Sequence, residues 1–189
     1  FLIITFKELL SCDTYDLSLP FIEKMEMTEK IVVINGYIRI QGLFVPKGNP
    51  KNIQGINDLL RPDIVFMNRS EGSGTRVLLD SLLKKLAIQK NISFDQIQKI
   101  IKGYYTVAAS HSATVNAVIR GIVDVSIGIK SYAQLFNIDF IPLAEERYDL
   151  LIRKKSLNKP SVETFLSIFK SKDFRKIIEK ELGEVKWLS

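Results

Sequence analysis

A layered α/β fold with mostly parallel strands is what this 189-residue chain predicts. Three observations carry that reading. Short runs rich in β-favouring side chains alternate with stretches whose apolar residues recur at helical spacing. Twice, a strand-like run passes into a helix through a turn of small hydroxyl residues, once with two glycines. Apolar content of 46% with 25% charged residues is that of a chain able to bury a real core.

Taken in order, Phe1 to Leu10 reads as a strand running into a short apolar segment, and Ser11 to Asp16 as a loop. Leu17 to Met27 is expected to be helical, with Pro20 near its start. Lys30 to Asn35 reads as a strand broken at Gly36, with a second from Tyr37 through Val45. Pro46 to Pro50 is a turn or hinge, and Gly55 to Leu60 a brief helix. Asp63 to Asn68 is a short apolar strand, followed by a helix in which Leu78, Leu82 and Leu86 repeat at four and Leu79 and Leu83 widen the stripe. Asn91-Ile92-Ser93 caps the next helix, whose inner face is Phe94, Ile97, Ile100 and Ile101 and which Gly103 ends. Tyr104 to Ala109 is a strand, Ser110 to Arg120 a helix closed by Gly121, and Val123 to Ile129 a strand. Ser131 to Phe136 is a short helix, with strands at 140–143 and 148–152 to follow. Helices over 162–170 and 174–182, the second capped by Ser171, close the chain.

The turn Arg69-Ser70-Glu71-Gly72-Ser73-Gly74-Thr75-Arg76 carries most of the functional argument. A helix that begins in it leaves backbone N–H groups without intrahelical partners, at the positive end of the helix dipole. Glycines let a ligand approach the main chain, while Ser73 and Thr75 add hydroxyl donors. Arg69 and Arg76 add full charge, and a cation at a helix N-terminus is unfavourable unless something negative sits between. That combination points to an anion site. The competing reading is a tight strand-to-helix turn with Ser73 or Thr75 as its cap. The turn is neither a Walker loop nor a dinucleotide fingerprint, because no Gly-Lys-Ser/Thr follows and Val77 stands where a third glycine would be.

Ser110-His111-Ser112-Ala113-Thr114 repeats the same logic at a second helix start. His111 is the chain's single histidine, readable as a capping residue, a ligand hydrogen-bonder or a proton-transfer group. Asp124 falls at a strand start, with Ser126 and Gly128 allowing close packing or ligand approach. Glu145 to Asp149 reads as an exposed hinge. No zinc spacing, EF-hand loop or Gly-x-Ser-x-Gly elbow is present, and no cofactor is expected.

Net charge of +6 favours anionic partners, but the lysines are dispersed and read as solvated surface, so direct nucleic-acid binding is not expected. No apolar run approaches the ~20 residues that span a bilayer. The lone Cys12 leaves no intrachain disulfide, and the opening residues lack a secretory leader; both agree with a cytoplasmic protein. A strand-like run at the first residue reads as an excerpt of something larger.

With these residues laid out, the chain resembles the periplasmic-binding-protein-like ligand domain of molybdopterin-biosynthesis (molybdotransferase-like) proteins, a domain that also follows DNA-binding modules in some regulators. The resemblance rests on Gln41-Gly42-Leu43 with Gly48-Asn49-Pro50, on Asn68-Arg69 with Gly72 to Arg76, and on Ala113 to Gly121 with Asp124 and Gly128. Asp139 to Leu143 with Glu146 to Leu150 completes it, over roughly residues 16 to 182. It implies a type II two-lobed α/β fold with an incomplete first lobe: residues 1–48 and 146–189 as lobe one, 49–145 as lobe two carrying the oxyanion turn. By the same likeness the domain is non-catalytic and closes on molybdate or tungstate, with Arg69, Ser73, Gly74, Thr75 and Arg76 as the ligand set. Ser110 and His111 join that set if the second turn faces the same ligand. The missing N-terminal part of the same protein is then a partner. The alternative is the effector domain of a transcription regulator sensing an organic metabolite.

Overall fold

The computed structural model describes residues 3–8, 30–182 and 185–188. The expected loop over 11–16 and helix over 17–27 lie outside the described residues. Contacts divide the chain into two compact units, residues 1–39 with 144–189 and residues 40–143.

In the first unit, β1 (Ile3–Glu8) runs antiparallel to the later half of β6 (Asp139–Arg153), with Thr5 opposite Asp149. A short β7 (Lys186–Trp187), which nothing in the sequence announced, lies antiparallel to β2 (Ile31–Val45) at Tyr37 and Ile38. Trp187 meets Tyr37, Phe169 and Phe174 ring to ring at 5.5, 5.7 and 6.4 Å, so this unit holds an aromatic cluster beside the buried Leu150, Leu151 and Ile152. Phe169 and Phe174 come from α5 (Pro160–Lys170) and α6 (Lys172–Leu182), with Ser171 capping Phe174 N as expected.

Two expectations are corrected here. Gly36 does not break β2: a Cβ at that position would run into the Tyr148 carbonyl, so the glycine permits close strand contact instead. Likewise the strands expected at 140–143 and 148–152 are one, β6, and Glu145 to Asp149 is no exposed hinge. Glu146 and Asp149 are buried; Arg39 pairs with the first, while Arg147 and the Gly36 amide donate to the second.

In the second unit the strand order is β6-β2-β5-β3-β4. Here β3 is Phe66–Arg69, β4 Val107–Ala108 and β5 Val125–Ile129. Pairing is mixed, not mostly parallel. β3 runs parallel to β4 and β5, while β5 and β2 are antiparallel. The three parallel strands are those linked by helical crossovers: α1 (Gly74–Gln89) and α2 (Phe94–Ile100) run from β3 to its neighbour β4, and α3 (His111–Ile119) carries the chain from β4 past β3 to β5. β2 and β6 sit outside those crossover units, so nothing forces them parallel. A 3-10 helix (Ile56–Leu60) and α4 (Lys130–Leu135) complete the unit.

Alternation along the strands puts Leu43, Phe66, Val125 and Ile127 under Leu79, Leu83 and Leu86 of α1 on one face. Phe44 meets Val115 and Val118 of α3 on the other. Ile100, expected inside, is exposed, and Ile97 and Ile101 carry the inner face of α2.

Tyr37 and Tyr104 are buried, and burial pushes both hydroxyls up to about 12. Each folded-state value is above that of an unfolded tyrosine, so the folded chain holds these protons more tightly. The stability they contribute is complete below pH ~10 and is lost as pH rises towards ~12, of order 2 kcal/mol for each group. Urea unfolding at pH 8 and about 11.5 should show that fall, and Tyr37→Phe should remove its share.

Candidate functional site

β3 ends at Arg69, the chain turns at Gly72 in the left-handed region (φ 78°), and α1 begins at Gly74. Ser73 is the cap: its Oγ accepts the Arg76 amide at 3.3 Å and donates to the Ser70 carbonyl at 2.8 Å. The capping reading of the turn therefore holds for Ser73. It leaves the amides of Gly74 and Thr75 ahead of the first intrahelical bond. Thr75 is itself buried.

Arg76 is engaged within the protein. Its Nε donates to both Asp80 carboxylate oxygens at 3.0 Å, its Nη1 donates to the Arg69 carbonyl at 3.3 Å, and its guanidinium lies 4.3 Å from the Tyr104 ring centre. The Tyr104 hydroxyl donates to Asp80 at 2.6 Å. Burial alone would lower the Arg76 pKa, but the charge and hydrogen bonds of Asp80, with help from Tyr104, leave it raised. The negative group that a cation at a helix start calls for is thus Asp80, one turn on, and no ligand is needed to explain Arg76.

Arg69 is different. It is 8% exposed, and among the described residues it has no carboxylate partner. Its Nη1 donates to the Ala108 carbonyl at 3.2 Å, and its buried Nε has no hydrogen-bond partner among the described residues. Burial pushes its pKa down, with nearby Tyr132 acting the other way, though an arginine so placed stays charged at neutral pH. A buried cation lacking a counter-ion is costly, and an arriving anion removes that cost.

Register places the second turn beside the first. Arg69 pairs with Ala108 across β3 and β4, so α1 and α3 both start off the carboxyl ends of adjacent parallel strands. Ser110 caps α3, accepting the Ala113 amide at 3.1 Å, and is exposed. The half-buried His111 ring lies 5.2 Å from Tyr132, and a Cβ at Gly128 would come within 3.0 Å of its Nδ1. Gly128 therefore makes room for His111 and for the Phe44 ring. Ser126 donates to the Thr114 carbonyl, and Asp124 accepts the Val65 amide at 2.8 Å, both internal roles.

Tyr132, on the first turn of α4, was missed by sequence reasoning. The available signal was that β5 runs straight into α4, a third strand-to-helix passage, but without glycine to mark it. Among the described residues no group of three or more His, Cys, Asp or Glu could hold a metal ion, and no helix is long and apolar enough to cross a membrane.

In open α/β sheets ligands bind beyond the carboxyl ends of the strands, which is where these capped helices and the buried guanidinium lie. The model of the PBP superfamily domain matches residues 4–170. The chain belongs to the PBP superfamily. This PBP domain is 36% identical over 167 residues to the uncharacterized protein YvgK of Bacillus subtilis, a match covering 88% of the chain and 51% of that protein. It thus spans about half the length of that relative. Among solved structures it is similar to the sulfate-binding protein SubI of Mycobacterium tuberculosis, at TM-score 0.59 and 18% identity, covering 78% of this chain and 56% of that one. It is also similar to the substrate-binding domain of a putative molybdenum ABC transporter from Clostridium difficile, at TM-score 0.52 and 14% identity, covering 92% and 74%. At those identities the likeness is one of fold: α/β, with a mixed sheet, resembling the type II periplasmic binding proteins. The PBP domain is a ligand-binding domain of a kind that is typically non-catalytic.

Proposed function

We propose that this PBP domain captures a small oxyanion at the carboxyl end of β3, with Arg69 as its charge partner. The observation that carries the reading is the buried Arg69 guanidinium without a carboxylate among the described residues. The Gly74 and Thr75 amides supply the donors of a helix N-terminus, and the Tyr132 hydroxyl adds a neutral one. Ser73 contributes through its cap, by holding those amides in place. Ser110 and His111 flank the site from α3. Molybdate or tungstate is the proposed ligand, and a longer protein of molybdenum-cofactor biosynthesis the proposed setting. Two supports exist for that choice: the motif resemblance, and fold neighbours named for sulfate and molybdenum.

Isothermal titration with molybdate, tungstate, sulfate and phosphate tests it. Saturable one-site binding of molybdate or tungstate in the micromolar range or tighter is expected. Sulfate binding alone would change the ligand's identity, and binding of none of the four would overturn the reading.

A further inference from the structure

The Gln41 side chain is fully buried, and among the described residues neither its Nε2 nor its Oε1 meets a hydrogen-bond partner. A primary amide carries two donors and an oxygen with two lone pairs, and native structures rarely bury one with all of them idle. An apolar residue of similar volume would fill the same space without that penalty. Its neighbours Leu43 and Ile127 belong to the apolar cluster, so packing gives no reason for an amide here.

Register locates Gln41 relative to the anion site. Gln41 lies opposite Ile129, the last residue of β5, on β2. On the other side of β5, pairing of Phe66 with Val125 and Met67 with Ser126 brings Arg69 level with Gly128. Gln41 and Arg69 therefore flank the carboxyl end of β5 within one residue of the same row, on strands roughly 10 Å apart. Alternation sends them to opposite faces, Gln41 to the face that α1 covers. A small anion seated off the end of β5, before the α1 start, would lie between these two strand positions.

We infer that Gln41 is a ligand-contacting residue of the anion site, its Nε2 donating to a bound oxygen from the strand opposite Arg69. This rests on the oxyanion reading above. The ligand-free protein then carries a polar penalty at Gln41 that binding removes.

Gln41→Leu separates this from a structural role, because it moves two readouts in opposite directions. Ligand-free Gln41→Leu should melt at or above the wild-type temperature, while affinity for the tightest of the four titrated oxyanions falls about tenfold or more, as expected for one lost hydrogen bond to a charged group. Gln41→Met gives the same comparison should the leucine variant fail to fold. Unchanged affinity in either variant would overturn the inference, and a lower melting temperature with unchanged affinity would mark Gln41 as serving an internal water. If the wild type binds none of the four anions, the oxyanion reading itself fails and the role of Gln41 with it. Wild-type binding that survives in Gln41→Leu removes Gln41 alone.

Discussion

Arg69→Met should weaken oxyanion binding by on the order of a hundredfold or more, with little loss of stability. Truncating the charged partner of a buried, hydrogen-bonded ion typically costs 2–5 kcal/mol of affinity. In the ligand-free protein the guanidinium has no counter-ion among the described residues, so its removal takes away a desolvated charge and one hydrogen bond to the Ala108 carbonyl. Those two effects oppose one another, and methionine refills most of the volume. Titration calorimetry and urea unfolding on the same preparation read both sides. Affinity within a factor of a few of wild type would remove Arg69 from the site.

Arg76→Met should do the reverse. Asp80 would keep only its hydrogen bond from Tyr104, and the guanidinium's contact with the Tyr104 ring would be lost. Breaking a buried pair by deleting one partner destabilises by 3–5 kcal/mol, and Asp80, a quarter exposed, places this case at the lower end, about 3 kcal/mol. The urea midpoint should fall accordingly, while anion affinity of the folded variant stays near wild type. Lost affinity with unchanged stability would return Arg76 to the ligand set that the motif resemblance implied.

These two arginines also show what could be read in advance. Their placement at a strand end and a helix start follows from the alternation of apolar runs with a Gly-Ser-Gly turn, and the observed elements lie close to that pattern. Their difference in role does not. Asp80 is four residues from Arg76 and so visible as a helical pair, but Tyr104, which completes that cluster, lies 24 residues beyond Asp80, past the next helix. The solitude of Arg69 is a statement about what surrounds it in space, and no local spacing encodes it. Gly36 was misread for a related reason. A glycine inside a strand signals either a break or a close backbone approach, and only the position of Tyr148 on β6 decides between them. The run from Asp139 to Arg153 was split because the charged stretch Glu145 to Asp149 looks like an exposed hinge, whereas Glu146 and Asp149 are buried and paired. Strand direction was overextended from the two crossover units to strands that lack one.

The seclusion of Arg69 has a kinetic side. The chain carries 27 lysines and arginines against 21 acidic residues, most of them spread over its surface, where dissolved ions screen them within about 10 Å. Such a surface draws anions inward and so governs how often one arrives. On the oxyanion reading proposed above, a guanidinium so nearly buried is screened far less, so added electrolyte should slow capture more than it loosens a bound anion.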